Sequence, residues 1–255
     1  MYWDDIKHDV SAFGDADLRK AVKERKQLKI TRLLKSQHTY VEPDAFYYYA
    51  AVAYGLKDQR AIEQLCALKK KNHNLIMGCR EWGRWFHADD IEPFTQAFGF
   101  WNEKCWLAPA AEMIEHKRND TLKALLSLRG ANGKMVINPL RNNSDLLWET
   151  CIQGNLEAFN MLLPISDYKN CGHRCFVTAV YNKHLDIAQK IVDKCNYEGI
   201  LPELRLNVDE FLNKEAHTPE EIESGHAMYA LIDKISITHA LEDIGQESPR
   251  SSRKM

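Results

Sequence analysis

The chain has 255 residues, of which 45% are hydrophobic and 27% charged; this is enough apolar material for a core of one or two domains and excludes a disordered protein. Its 34 Lys and Arg residues nearly balance 36 Asp and Glu residues, so the net charge of −2 provides no global field that would attract nucleic acid or an anionic membrane. With only 12 Gly and 8 Pro, the composition favours helices over a turn-rich β fold.

The seven cysteines are an odd number spread along a chain that is too large to need disulfide staples, so we expect a reducing compartment. No charged segment followed by an apolar leader is visible at the start of the sequence. The longest nearly apolar run, residues 45–56, is shorter than the ~20 residues of a membrane-spanning helix. We expect a cytoplasmic protein, or one exported into a host cytoplasm without a recognisable signal peptide, and neither membrane nor nucleic acid as a partner.

Amphipathic helix openings recur along the chain at a regular spacing of roughly 30 residues, a period typical of repeat proteins. Each begins with a leucine or isoleucine and continues with apolar residues at helical intervals. The six openings are at Leu28, Ile62, Ile91, Leu122, Leu156 and Leu185. Such a period predicts a stack of two-helix units, each too small to fold alone. We expect residues 1–15 to cap the N-terminal end of this stack.

The tyrosine-rich residues 46–54 predict the first helix of one such unit. Tyr47 and Tyr54, with the alanines between them, fit one inward face at helical spacing, which leaves Tyr48 and Tyr49 toward a groove or solvent. An exposed tyrosine offers contact area at a low cost in entropy. Tyr48 is therefore a candidate partner-binding residue.

Lys69, Lys70 and Lys71 form a local positive run. The run follows a predicted helix that ends near Leu68, where cations complement the negative end of the helix dipole. This pattern is typical of a solvated helix end, and contact with an acidic partner or a phosphate is the alternative.

Aromatic residues are concentrated between Trp82 and Trp106, which hold 8 of the chain's 25 aromatic residues. Most of them predict core positions, because a short repeat with few aliphatic residues must fill its interior with large side chains. The adjacent pairs Trp85–Phe86 and Phe100–Trp101 would point about 100° apart on a helix. We therefore expect one member of each pair to be partly exposed.

Two arginines accompany these aromatic residues: Arg80 precedes the segment and Arg84 lies within it. Exposed tryptophan next to arginine is the composition of a protein-binding hot spot. Arg84 and Trp101 therefore join Tyr48 as the predicted partner-binding residues.

Residues 147–163 align without a gap on residues 176–192, which places Leu156 on Leu185. Both segments predict a short apolar helix, a polar break and a second amphipathic helix. The apolar stripe of that second helix falls on one face of a 3.6-residue period, at Leu156, Phe159, Leu162 and Leu163 and again at Leu185, Ala188, Ile191 and Val192.

Cys171, His173 and Cys175 form the densest Cys/His cluster of the sequence. Their one-residue spacing does not make the paired Cys knuckle of a structural zinc site. We therefore predict a turn at a unit boundary, with semi-buried thiols and Gly172 as a helix C-cap, and no metal. A zinc site is the alternative.

The repeat rhythm ends after Asn196. The dipeptide Thr218-Pro219 predicts the start of a helix, because proline is favoured at the first helical position. We assign residues 1–198 to the repeats with their N-terminal cap and residues 199–242 to a C-terminal helical cap. The polar residues 243–255 predict a disordered tail.

The two-helix units resemble the ankyrin repeat, whose period is about 33 residues. The resemblance rests on small residues in the first helix, as at Thr150 and Thr178, on turns that lead into Leu156 or Leu185, and on a paired aliphatic end. It covers residues 145–195. It implies an all-α solenoid of about six ankyrin-like αα-hairpins with helical caps at both ends; a solenoid of the tetratricopeptide or HEAT type is the alternative.

The ankyrin family consists mostly of recognition scaffolds. The resemblance therefore implies a scaffold that binds a partner protein through its concave face and turns, and we expect a monomer without a cofactor, a metal or a catalytic residue. Degenerate repeats also fit a host-directed effector or a viral protein. The alternative is an enzyme, a Cys/His-based hydrolase or transferase on a divergent helical solenoid, although the sequence contains no nucleophile or phosphate-loop motif.

Overall fold

The computed structural model describes residues 16–24, 26–35, 43–71, 80, 82–141, 144–197, 201–213 and 218–246. Over these residues the fold is all-α, as predicted, with no β-strand and one isolated antiparallel bridge between Arg129 and Met135. The α-helices are α1 (Ala16–Lys23), α2 (Gln27–Lys35), α3 (Pro43–Gly55), α4 (Gln59–Lys71), α5 (Trp82–Trp85), α6 (Ala88–Phe98), α7 (Leu107–Glu115), α8 (Asn119–Ser127), α9 (Asp145–Gln153), α10 (Leu156–Leu162), α11 (Tyr168–Tyr181), α12 (Leu185–Tyr197), α13 (Leu201–Leu212) and α14 (Pro219–Gln246). Short 3-10 turns lie at Glu103–Cys105 and Leu163–Ile165.

The chain divides into two compact units, residues 1–138 and residues 139–255. In the first unit, α2, α4, α6 and α8 each pack against the next of the series, and α5 packs against α7. In the second unit, α9 packs against α11 and α10 against α12. Helices α13 and α14 pack on each other and on α11 and α12.

Consecutive helices form six pairs, from α1–α2 to α11–α12, and we call their members the first and the second helix of each pair. Each of the six predicted openings lies in the first turn of a second helix, so their spacing marks real helix starts. The two helices pack against each other in the pairs α1–α2, α3–α4, α7–α8, α9–α10 and α11–α12. Helix α5 has only four residues.

The same turn joins the two helices of four pairs in the described part of the chain. One residue adopts a left-handed conformation, at Lys57, Lys117, Gly154 and Lys183, with φ of 54°, 52°, 60° and 64°. The amide of the next residue donates to the carbonyl five residues back, over 2.9, 2.7, 3.1 and 2.8 Å for Asp58, Arg118, Asn155 and His184. This hydrogen bond is characteristic of a Schellman C-cap. Its recurrence fixes the angle at which the second helix starts in these four pairs.

The aromatic segment forms the core of the first unit, as predicted. The Phe94 ring lies 4.5 Å from the Phe86 ring and 5.6 Å from the Phe100 ring, measured between centroids. Phe100 is buried while Trp101 is 41% exposed, so the expectation for this pair is confirmed. The expectation for the other pair is wrong, because Trp85 and Phe86 are both fully buried.

Lys69 is not part of a solvated helix end. Its ammonium donates to the carbonyls of Phe98 and Gly99, over 2.6 and 3.0 Å, and lies 4.6 Å from the centre of the Phe100 ring. Burial lowers the pKa of Lys69. The lysine thus caps the C-terminus of α6, where Gly99 turns the chain with φ of 63°.

The C-terminal region is helical, and α14 begins at Pro219 as predicted. Helices α13 and α14 occupy the stretch assigned to the C-terminal cap. Helix α14 continues to Gln246, and residues 247–255 of the predicted tail lie outside the described residues. The predicted N-terminal cap, residues 1–15, also lies outside them.

Candidate functional site

The predicted binding residues do not form one exposed cluster. Tyr48 is only 4% exposed, and its ring centroid lies 4.8 Å from that of Trp85. The expectation that Tyr48 and Tyr49 face a groove or solvent is therefore wrong. Residues 50–53 are buried as well, so the described residues from Tyr48 to Ala53 leave α3 no solvent-facing side. A helix segment that is apolar or aromatic all round is stabilised by burial on every side.

Arg84 belongs to an ion-pair cluster between α5 and α7. The buried carboxylate of Glu112 accepts from Nε of Arg80 at 3.0 Å and lies 2.9 Å from Nε of Arg84. His116 Nε2 lies 3.1 Å from the same carboxylate. A hydrogen bond from Arg80, over 2.6 Å, lowers the pKa of Glu115. Arg84 itself remains half-exposed.

The ligand atoms of Glu112, Glu115 and His116 lie within 4.8 Å of one another, which would suit a metal ion. Two guanidinium groups, however, already contact these carboxylates. A cation would have to displace Arg80 and Arg84 from a buried, paired carboxylate, which is costly. We conclude that the cluster ties α5 to α7 and presents the two arginines at the surface.

A second cluster lies on the first helices of the other unit. The guanidinium carbon of Arg174, on α11, lies 3.4 Å from the centre of the Trp148 ring, on α9. The indole nitrogen of Trp148 donates to the Thr178 hydroxyl over 2.8 Å, and Arg174 lies 3.6 Å from the Asp145 carboxylate. Tyr181, at the end of α11, is 51% exposed. We call these five residues the Trp148 face.

The Trp148 face is the outward side of α9 and α11, whose other side supplies the core. Positions 171, 175, 176 and 179 of α11 are buried, while positions 174, 178 and 181 are partly or largely exposed. The gapless alignment of the two repeats places Trp148 opposite Val177 and Ile152 opposite Tyr181. The sequence could have indicated this face, because the aligned positions that do not belong to the buried side of each first helix are the positions that face outward. The contact between Trp148 and Arg174 depends on the packing of α9 on α11, which the sequence does not show.

A groove of about 490 Å³ lies beside Tyr181, between the α11–α12 turn and α14. Tyr181, Lys183 and Leu185 line it on one side, and Glu223 and Ala227 line it on the other. Leu185 is 49% exposed, although large aliphatic side chains usually gain from burial. The groove thus extends the Trp148 face with apolar surface.

The predicted turn at Cys171–Cys175 is wrong, because these residues lie in the middle of α11. Gly172 is a buried helical residue and not a C-cap. Both thiols are fully buried rather than semi-buried as predicted, while His173 is exposed. Hydrogen bonding with Cys175 and burial raise the pKa of the Cys171 thiol, and hydrogen bonding with Cys151 and burial raise the pKa of Cys175. Such thiols act as small core side chains rather than nucleophiles.

Comparison of the chain with protein-family models, with curated proteins and with solved structures finds no match to any of the three. Among the described helices, none combines the length and the apolar character needed to cross a membrane.

Proposed function

We propose that this chain is a protein–protein interaction scaffold built from degenerate ankyrin-like repeats, and that the Trp148 face docks a partner protein. The recurring left-handed turn supports the repeat assignment, as does the packing of each second helix on the next within a unit. After α8, the bridge between Arg129 and Met135 closes a short hairpin-like loop, in a position where ankyrin repeats carry a β-hairpin.

The observation that carries the proposal is the stacked pair of Arg174 and Trp148 next to the exposed Tyr181. Tryptophan, arginine and tyrosine are enriched among the few residues that dominate the binding energy of protein interfaces. The Trp148 indole is held by Thr178, so little side-chain entropy is lost when a partner covers it. The adjoining groove offers apolar surface for a partner side chain.

The charges of the Trp148 face favour a protein partner with mixed polar and apolar chemistry. Asp145 and Arg174 carry opposite charges within 3.6 Å of each other, so the face has no strong field of one sign. Arg84 and Trp101 remain predicted contact residues of the first unit, since both are partly exposed.

Affinity capture tests the proposal. The full chain is immobilised and exposed to lysates of candidate host cells or of the cells that produce the chain. The retained proteins are quantified by mass spectrometry. The variant Arg174→Ala/Tyr181→Ala should lose at least tenfold of the enrichment of a specific partner. The control Asn160→Ala/Lys190→Ala changes two exposed residues on second helices of the same unit and should retain it.

Thermal unfolding of both double variants separates binding from folding. We expect melting temperatures within a few degrees of the parent chain, because all four positions are solvent-accessible. Equal capture by the parent chain and by both variants would show that the Trp148 face is not the docking site. A second capture with Arg84→Ala/Trp101→Ala tests the face predicted for the first unit.

A further inference from the structure

The first helical pair is strongly basic in an otherwise acidic chain. Residues 16–35 contain eight Lys and Arg residues but only two acidic residues, Asp17 and Glu24, so this stretch has a net charge of +6. The chain as a whole has a net charge of −2. The positive charge is therefore concentrated on α1 and α2, and it creates a local field that the composition alone conceals.

An open groove of about 800 Å³ runs between α2 and α4, at the edge of this basic pair. Arg32, Lys35 and Arg60 bring three cations to its walls. Glutamine side chains at positions 27, 59 and 64 also line it. At the rim, Leu28 is 79% exposed, the largest exposed fraction among the large apolar side chains that the structure describes.

Two acidic residues, Asp58 and Glu63, also line the groove, and neighbouring groups engage both of them. The Asp58 carboxylate accepts from the Thr31 hydroxyl and from a backbone amide of α4. The Glu63 carboxylate accepts from the Gln59 amide at 3.4 Å. Within the described residues, no carboxylate lies within ion-pair distance of the cations at positions 32, 35 and 60. The three cations outnumber the two carboxylates of the lining, so the described part of the groove presents a net positive charge to an anionic ligand.

We propose that the α2–α4 groove binds an acidic polypeptide segment with an apolar residue next to Leu28. The three cations would pair with its carboxylates, and the glutamine amides can hydrogen-bond to its backbone. Helix α2, with nine residues, is about 13 Å long, which matches four to five residues of an extended segment.

The shape and lining of the groove favour a polypeptide over other anions. A flat membrane surface cannot enter a groove between two helices, and Leu28 alone offers little area for insertion. Among the residues that the structure describes, no aromatic side chain lines the groove, whereas single-stranded nucleic acid is held largely by stacking on aromatic rings. The groove lies in the first unit and the Trp148 face in the second, so this proposal is independent of the proposed function.

The test measures the binding of a fluorescein-labelled peptide of alternating glutamate and leucine to the full chain. Fluorescence anisotropy reports the binding at low and at moderate salt. The variant Arg32→Glu/Lys35→Glu/Arg60→Glu should bind at least tenfold more weakly than the parent chain. The control Lys123→Glu/Lys134→Glu/Lys190→Glu has the same net-charge change at exposed positions elsewhere and should lose less than threefold. A peptide with glutamine in place of glutamate should also bind at least tenfold more weakly.

The variant Arg32→Gln/Lys35→Gln/Arg60→Gln removes the three positive charges without reversing them. It should also bind the peptide more weakly, and it keeps the test valid if the charge-reversal variant does not fold. Equal losses in the groove and control variants would overturn the proposal, because they would indicate attraction by overall charge only. Tighter binding of phosphatidylserine-containing vesicles, or of a single-stranded oligonucleotide, than of the peptide would also overturn it. Leu28→Ala should weaken peptide binding about threefold to tenfold.

Discussion

The hydroxyl of Thr31 donates a 2.6 Å hydrogen bond to the Asp58 carboxylate, which links the second helix of one pair to the turn of the next. In two other pairs, the corresponding turn residue also contacts the backbone of the preceding pair. Arg118 donates to the carbonyls of Arg84 and Phe86, and His184 Nε2 lies 3.2 Å from the carbonyl of Ile152. The residue after the left-handed position thus connects neighbouring pairs, which sets the register of their stacking.

Asp58→Ala should destabilise the first unit by about 2–3 kcal/mol. The substitution removes the bond to Thr31 and also the N-cap of α4, where the carboxylate accepts the Ala61 amide at 3.0 Å. Urea unfolding measures the loss. Thr31→Val removes only the first of these bonds and should cost about 1 kcal/mol. Equal effects of the two substitutions would show that the cap contributes nothing.

Two helical glycines should respond to alanine in opposite ways. A Cβ at Gly83 would collide with the Pro109 carbonyl and lie 2.6 Å from Cβ of Glu112, so Gly83→Ala must separate α5 from α7 and should cost about 3 kcal/mol or more. A Cβ at Gly172 would lie 3.4 Å from the Tyr168 ring. Gly172→Ala should therefore stabilise by about 0.5–1 kcal/mol. Thermal unfolding compares the two variants with the parent chain, and melting temperatures that shift in the same direction for both would contradict this prediction.

Glu112→Gln should destabilise the chain more than Glu115→Gln. Glu112 is buried and contacts two arginines, so its neutralisation removes the buried charge that the two guanidinium groups share and should cost about 1–3 kcal/mol, reduced by the exposure of the arginines. Glu115 is exposed and makes one surface pair, worth less than about 1 kcal/mol. Chemical denaturation at pH 7 compares the two, and equal costs would indicate that burial of Glu112 is unimportant.

Raising the pH above about 9 should destabilise the second unit through Cys171 and Cys175. Because their pKa values in the folded chain are raised above the ordinary 9.0, stability is fully present below pH 9 and declines as the unfolded thiols ionise. The loss should steepen as the pH rises past this value, because more of the unfolded thiols are then ionised. Cys171→Ala/Cys175→Ala should show a flatter decline between pH 8 and 10. Parallel stability curves for the variant and the parent chain would refute the burial argument.

The helix starts could be predicted from the sequence because local signals determine them. Leu28, Ile91 and Leu185 each open an amphipathic segment after a polar break, and each lies at the start of a helix. The spacing of the units stays regular although their individual residues differ, since it depends on the length of two short helices and a turn. The all-α class follows from the same signals.

Burial around a helix could not be predicted in the same way. A helical pattern identifies one inward face, but it does not show how many neighbours a helix has. Tyr48 lies against Trp85, which belongs to another helical pair and is distant in the sequence. The local pattern also misplaced Gly172, because a glycine ends a helix only where the chain adopts a left-handed conformation, and here that conformation occurs at Lys183.

The Trp148 face was missed for a related reason. Trp148 and Arg174 lie on different first helices, and each separately looks like an ordinary half-exposed helical residue. Their stacking becomes visible only when α9 and α11 are placed side by side. A binding surface of this kind is a property of neighbouring repeats and not of any single motif.

Three of the four left-handed turn positions are lysines, which is why the chain can make so many turns with so few glycines. A residue with a Cβ is held there at a cost of roughly 1 kcal/mol relative to glycine. Replacing Lys57 and Lys117 by glycine is thus a route to a more robust chain that leaves the Trp148 face, its adjoining groove and the cations of the α2–α4 groove unaltered, whereas Lys183 lines the adjoining groove. That background would tolerate alanine scanning of both surfaces without loss of the folded state.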